Sequence, residues 1–410
     1  MSARPRPRAA AVLAVAAGLA LTTAACGREE NVSESAAGGS DAPIKLFGIA
    51  ASGSPIQNYP DIEAGATAAV KAINADGGIN GRKIEFTFCN DQADANKSVA
   101  CARRAVSEKA TAVIGQVSLY GAQTLPLLES AGIPSVGITT PGNEVDVTSK
   151  AAYPFNAGTF SDYVALPDGL KQAGSKKVAA AVADLPSAIA GGELVGKGAK
   201  NVGMGWGGLV KIPPTGVTDF APYAQQLKRT GADSIVLVTT PAQTQAIVKA
   251  SEAQGLDFLW AHHTISFGES EAATLGEPVE GMILSGPNPS YRDESHPAIQ
   301  EFNQQMKDAG YSDPILFRTA GINAWLSVYA VRDVAQKIDG DVTAESLTKA
   351  LNETTGVDLK GIATWDPATP GPAGYPRVSQ SKIYFQKIED GKTVDAGIEP
   401  VDAMPLLGAE

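Results

Sequence analysis

The chain has 410 residues, a formal net charge of −11, and 44% hydrophobic against 19% charged residues. That acidic balance argues against nucleic-acid binding, which needs basic surface to replace counterions, and leaves small-ligand binding open because a local pocket can oppose the global charge. Forty-three glycines and a 6% aromatic share suit an α/β protein with many tight strand-to-helix turns.

Arg4, Arg6 and Arg8 precede an apolar run from Ala9 to Leu21. At about thirteen residues this run falls short of the roughly 20 that cross a bilayer as a helix, so residues 1–25 read as a secretory signal. Its exit, Thr23-Ala24-Ala25-Cys26, resembles a bacterial lipobox, in which cleavage precedes a cysteine that carries lipid. It departs from the commonest form at Thr23, where leucine is usual; the alternative is an ordinary signal with an incidental cysteine. Residues 26–42 are Ser/Gly/Glu-rich and read as a lipidated tether. Loss of the three leader arginines takes the mature charge to about −14. The expected location is extracytoplasmic, anchored to the cell membrane through lipid.

Residues 44–50 then read as a buried strand, and Ile62, Ala66, Ala69, Val70 and Ile73 recur at helical spacing until Asp76-Gly77-Gly78. A strand at 84–88, a helix at about 94–109 and a strand at 112–114 follow. Next come a helix near 122–131 and a strand near 134–138. The pattern restarts after Phe155 with a helix near 163–173 and a strand at 177–183. Helices near 188–200, 220–230 and 242–254 alternate with strands near 209–212, 234–238 and 258–261. Helices at about 297–309, 318–337 and 344–351 precede hairpin-forming strands from Ile362 onward. Such alternation implies right-handed βαβ units and parallel sheets, here in two doubly wound lobes.

With Cys26 assigned to lipid, Cys89 and Cys101 remain as a pair in a compartment that permits disulfides. Cys89 ends a strand and Cys101 lies one or two turns into the next helix, so a bridge would pin strand to crossover helix. Closing a loop of about twelve residues is worth roughly 3 kcal/mol in the loop-entropy model. The alternative is two free buried thiols. The three histidines, His262, His263 and His296, form no ligand spacing with these cysteines, so no zinc site is expected.

Ile44-Lys45-Leu46-Phe47-Gly48, Ser52-Gly53, Tyr59-Pro60-Asp61, Gly65, the run Ile73–Ile84, Asn90–Asp94 and Val113-Ile114-Gly115 resemble type I extracytoplasmic solute-binding proteins of ABC importers, the leucine/isoleucine/valine-binding family. Gly132-Ile133-Pro134 and Thr364-Trp365-Asp366 extend the match. The resemblance implies an α/β, periplasmic-binding-protein-like type I fold, with two doubly wound parallel-sheet lobes joined by three crossovers near Ala157, Ser285 and Gly361. Lobe one would be 43–157 plus 286–360, and lobe two 158–285 plus 361–410. Independently, ligands of open α/β sheets bind beyond the carboxyl ends of strands, near helix N-termini, and two such surfaces make a clamp.

On that map three loops of lobe one reach the ligand. They carry Ser52 and Tyr59, then Ser118 and Tyr120, then Thr139 and Thr140. The resemblance implies that hydroxyls and N–H groups of the last two loops hold a ligand carboxylate. Each such residue also has a plainer reading, a turn or helix cap for Ser118, Thr139 and Thr140 and lobe-edge packing for the tyrosines. In lobe two, amino-acid binders of the family carry an acid where this chain has His263, so Asp184 is the candidate to take over an ammonium. Arg318 is a candidate positive charge behind the cleft or a surface arginine. The adjacent His262 and His263, on an extended segment, are expected to point opposite ways, which argues against a metal.

These readings make the protein a binding module that captures a small carboxylate-bearing solute, a branched-chain or related amino acid first, for ABC permease subunits. An amide, a urea-like solute or an organic or aromatic acid is the alternative, as is a sensor role. Ser118, His263 and Asp184 could be imagined as a hydrolytic set, but Ser118 lacks the Gly-x-Ser-x-Gly elbow, and neither paired carboxylates nor a phosphate-binding glycine loop is present. Neither catalysis nor a cofactor is expected. Mass spectrometry of the native protein should find an N-terminus at lipid-modified Cys26. If Cys26→Ser leaves the protein's partition between membrane and medium unchanged, the anchor is disproved.

Overall fold

The computed structural model describes residues 42–408 except Ile56; the leader, Cys26 and the tether up to residue 41 lie outside the described residues. Strands β1 (Ile44–Ala50), β2 (Ile84–Asn90), β3 (Ala112–Ile114), β4 (Ser135–Val136) and β5 (Ala152–Tyr153) form a parallel sheet in the order β2-β1-β3-β4-β5. A second sheet holds β6 (Lys177–Ala183), β7 (Gly205–Ile212), β8 (Ser234–Val238), β9 (Leu259–His263) and β10 (Ile283–Gly286), all parallel, in the order β10-β9-β8-β6-β7. After a small ladder of β11 (Val357–Asp358) with β12 (Thr364–Trp365), the hairpin of β13 (Lys382–Glu389) and β14 (Lys392–Asp395) adds antiparallel to β10. Asp390 and Gly391 supply the two positive φ angles that its two-residue turn requires. A last short strand, β15 (Val401–Asp402), pairs with β13.

In each sheet the order reverses at one strand, β1 in the first and β6 in the second. A crevice opens beyond such a strand because its two flanking crossovers run to opposite sides. Each sheet is apolar on both faces. Leu46, Ile114 and Val136 pack on the helices Pro60–Ala75 and Thr319–Ala335, while Phe47, Ile49 and Val113 pack on Ala95–Ser107 and Gly121–Ser130. In the second sheet, Val178, Ala180 and Val182 meet helices Thr159–Gln172 and Pro186–Asn201, whereas Ala179, Ala181 and Ile235 face Ala221–Thr230 and Pro241–Glu252.

The chain leaves the first sheet after Tyr153, returns to its helices after Gly286, and re-enters the second sheet at Lys382. Trp365, fully buried, donates its indole N–H to the Pro154 carbonyl at 3.0 Å and stacks edge-on against Phe155 at 4.9 Å. Two of the three passes are thereby stitched together. The disulfide joins Cys89 on β2 to Cys101 on helix Ala95–Ser107, with Cα atoms 5.7 Å apart. Residue 94 begins that helix as its cap, the Asp94 carboxylate accepting the Lys97 N–H at 2.9 Å. One strand differs usefully from the sequence expectation. β9 runs on through His262 and His263, because β10 pairs with both, Leu284 opposite His262 and Ser285 opposite His263.

Helices Pro60–Ala75 and Thr319–Ala335 cross in direct backbone contact. A Cβ on Gly65 would lie 2.1 Å from the Gly321 carbonyl oxygen, and the buried Asp61 carboxylate accepts the Gly321 N–H at 2.7 Å. Neither helix can yield locally, since the obstructing atom is backbone. Gly65→Ala should therefore cost about 1–3 kcal/mol, the usual range for overpacking. Urea unfolding checks this, and an unchanged midpoint would refute so tight a crossing.

Candidate functional site

A cavity of about 330 Å³ lies beyond the carboxyl ends of β1, β3, β6, β8 and β9. From the first sheet's loops come Gln57, Tyr59, Leu119, Pro141 and Gly142; from the second, Thr159, Phe160, Tyr163, Leu185, Thr240, His262, His263 and Phe267. Three helices, Thr159–Gln172, Pro186–Asn201 and Pro241–Glu252, start at its wall, because residues 159–160, 185, 187–188 and 240–241 line it. Their aligned peptide dipoles direct partial positive charge inward. The size and mainly apolar lining fit a small-molecule site.

The ionisable groups facing this cavity are held neutral or paired. Burial pushes the Tyr59 hydroxyl up to about 12, with Arg318 and the Ser266 hydroxyl pulling the other way, and burial likewise raises Tyr163. Burial lowers His262 to about 4 and takes His263 well below the usual imidazole range, helped by its neighbour. Both imidazoles are thus uncharged at neutral pH. Glu271 is paired with Arg318 at 3.1 Å and accepts the Gly268 N–H at 2.9 Å. That pair joins the N-terminus of the Thr319–Ala335 helix to the short helix Glu269–Leu275 on the second sheet.

Tyr59 and His263 line the cavity, and Arg318 lines the hollow next to it with Tyr59, Ser266 and Glu271. The other sequence candidates are engaged elsewhere. Ser118 donates to the buried Asp91 carboxylate at 3.1 Å, and the Tyr120 hydroxyl donates to the Ala93 carbonyl at 3.0 Å, so both tie the loop after β3 to the loop after β2. The Thr139 hydroxyl accepts from Asn323 Nδ2 at 2.9 Å, while Thr140 closes a turn by accepting the Gly142 and Asn143 N–H groups at 3.0 and 2.7 Å. Ser52 exchanges two hydrogen bonds with the Asn90 amide. Asp184 is exposed, and its N–H donates to the Ile212 carbonyl. The neighbouring Leu185, rather than Asp184, meets the cavity.

The two histidines do not point opposite ways. Their rings stand 4.6 Å apart and both line the cavity, because the His263 N–H donates to His262 Nδ1 at 2.8 Å and folds that ring back. This bond leaves the His262 proton on Nε2. Among the described residues no cluster of three or more His, Cys, Asp or Glu side chains is placed to hold a metal ion. Sequence reading missed Thr159, Phe160 and Tyr163 as a wall, since it started their helix four residues late, at about 163. The sign was Gly158, whose φ of 55° turns the chain into the helix. A further cavity of about 390 Å³ lies beyond Arg318, lined by Phe267, Tyr291, Phe317 and Ile322. It sits away from the two strand-order reversals, so we assign the site to the first.

A family model described as periplasmic binding protein matches residues 48–391. The Leu/Ile/Val-binding protein of Escherichia coli is 24% identical over 331 residues, which span 79% of this chain and 86% of that protein. Among solved structures, an ABC-transporter solute-binding protein from R. palustris in complex with 4-hydroxybenzoate aligns with a TM-score of 0.71 at 21% identity, covering 88% of this chain and 98% of its own. The branched-chain amino acid transporter substrate-binding protein LivJ from Streptococcus pneumoniae, in complex with isoleucine, gives 0.70 at 19% identity, covering 88% and 99%. These relatives are substrate-binding proteins, not enzymes.

The loop at Thr140 has a measurable signature. Burial raises the Asp146 carboxyl to about 7, against the pull of hydrogen bonds from Thr140 and Asn143. Between its unfolded value, near 3.8, and about 7 the folded protein holds a proton that the unfolded chain has released. Its contribution to stability therefore falls as pH rises through that window. Unfolding at pH 4.5, 6 and 7.5 should show the parent losing stability relative to Asp146→Asn as pH rises. Parallel curves would exclude the raised carboxyl.

Proposed function

The chain belongs to the periplasmic binding protein family, with its type I α/β fold of mostly parallel sheets, and on that premise we propose that it is the extracytoplasmic solute-binding lipoprotein of an ABC importer. In this reading Cys26 carries the anchor, lobes of 43–157 plus 286–360 and 158–285 plus 361–410 close on one small solute, and the closed form is what the permease subunits read. The observation that carries it is a cavity roofed by loops of both sheets at their order reversals, with few charges and an aromatic wall. The solute is small, largely apolar and carboxylate-bearing, within the range of branched-chain amino acids and aromatic acids held by the relatives.

Hinge closure is the means by which a two-lobed clamp registers occupancy. Small-angle scattering of the mature protein should show a smaller radius of gyration with bound solute, and the solute should be recovered unchanged. Tyr59→Ala should weaken binding at least tenfold and, because Tyr59 is buried in the core of the first sheet, should also lower the melting temperature of the free protein. An unchanged radius on saturation, or recovery of a converted product, would overturn the reading.

A further inference from the structure

Two polar atoms in the cavity wall have no hydrogen-bond partner among the described residues, His263 Nδ1 and Thr159 Oγ1. Both belong to buried side chains, 5% and 2% exposed, and both residues line the cavity. A buried polar group left unmade is costly, so an unpaired pair on one wall marks where a ligand atom belongs. Thr159 stands at the first position of a 14-residue helix, and the helices starting at Pro186 and Pro241 aim at the same space. Positive helix ends favour an oxygen that carries negative charge.

No carboxylate is free to face a cation there. Glu271 is engaged by Arg318 and by the Gly268 N–H. Asp162, one turn into the Thr159–Gln172 helix, is fully buried and does not line the cavity, and that burial raises its carboxyl well above the usual carboxylate range, against a weaker pull from Ser285. Asp184 is exposed outside the cavity. In the first sheet's loops, the hydroxyls of Ser118, Thr139 and Thr140 are taken up in loop contacts and do not line the cavity. An ammonium brought into this space would lose its hydration without gaining a counter-charge.

We propose that the cavity selects an apolar monocarboxylate that lacks an amino group, with its carboxylate against Thr159 Oγ1 and His263 and its hydrocarbon among Tyr59, Phe160 and Phe267. The inference rests on the solute-binding reading and sharpens it from a range of solutes to one class. Thr159 and His263 are then the specificity-determining residues, the hydroxyl donating to one oxygen and the imidazole N–H to the other.

Matched probes separate the possibilities. Calorimetric titration of the mature protein would use 4-methylpentanoate, its amide and leucine, then 3-phenylpropanoate, its amide and phenylalanine. The acid should bind at least tenfold tighter than both companions in one of the two series. Thr159→Val and His263→Gln, which keep shape or polarity, should each cost the acid tenfold or more, with the melting temperature of the free protein within a few degrees of the parent. Tighter binding of leucine or phenylalanine would overturn this inference while leaving the solute-binding reading intact, and tighter binding of an amide would do the same. Failure of all six probes would overturn the inference. Failure of the wider amino-acid and aromatic-acid panel as well would remove the solute-binding reading with it. Unchanged acid affinity in both variants would refute the assigned contacts.

Discussion

The crossing of two helices at Gly65 and Gly321 is the constraint on which the cavity depends. It brings Tyr59 and Arg318, the residues just before the two helix starts, to the same edge of the first sheet. Asp61 locks the crossing through the Gly321 N–H, and its carboxyl is raised to about 6 by burial while Arg318 draws it back down. One buried acid thus serves two purposes. It satisfies an amide at a helix start and steadies the guanidinium that reaches across to Glu271. A side chain larger than hydrogen at either glycine would part the helices and move both site residues at once.

The cavity is organised by where charge is withheld. The two histidines stay neutral because they are buried against one another, and a bond from the His263 backbone fixes the tautomer of His262. The Arg318–Glu271 pair is partly exposed, so its contribution to stability is modest, but it links structure attached to the two sheets. It sits beside the hollow shared with Tyr59.

Most of the fold was legible from pattern. Apolar alternation set strands and helices in register along most of the chain, since periods of 2 and 3.6 are properties of local backbone geometry. The disulfide was legible for the same reason, because a strand end and the first turns of its crossover helix are neighbours in any βαβ unit. The short pieces were not. Val145–Thr148, β5 and Glu269–Leu275 are too brief to carry a period, and they form because neighbouring strands and loops complete them.

The site divides along the same line. Sequence by itself determined that loops after β1, β3, β4, β6 and β9 meet at one place, and it named Tyr59 and His263 among them. Only the tertiary structure decided which hydroxyls remain available. Ser118, Thr139 and Thr140 have the right chemistry and the right loops, yet Asp91 and Asn323 reach the first two from elsewhere in the fold, and Thr140 closes its own turn onto Gly142 and Asn143. Thr159, by contrast, was passed over in sequence, and its buried hydroxyl has no partner among the described residues. The reason is physical. Residue type and spacing say what a side chain can do, but a hydrogen-bonding group is free only if no distant partner has been folded against it.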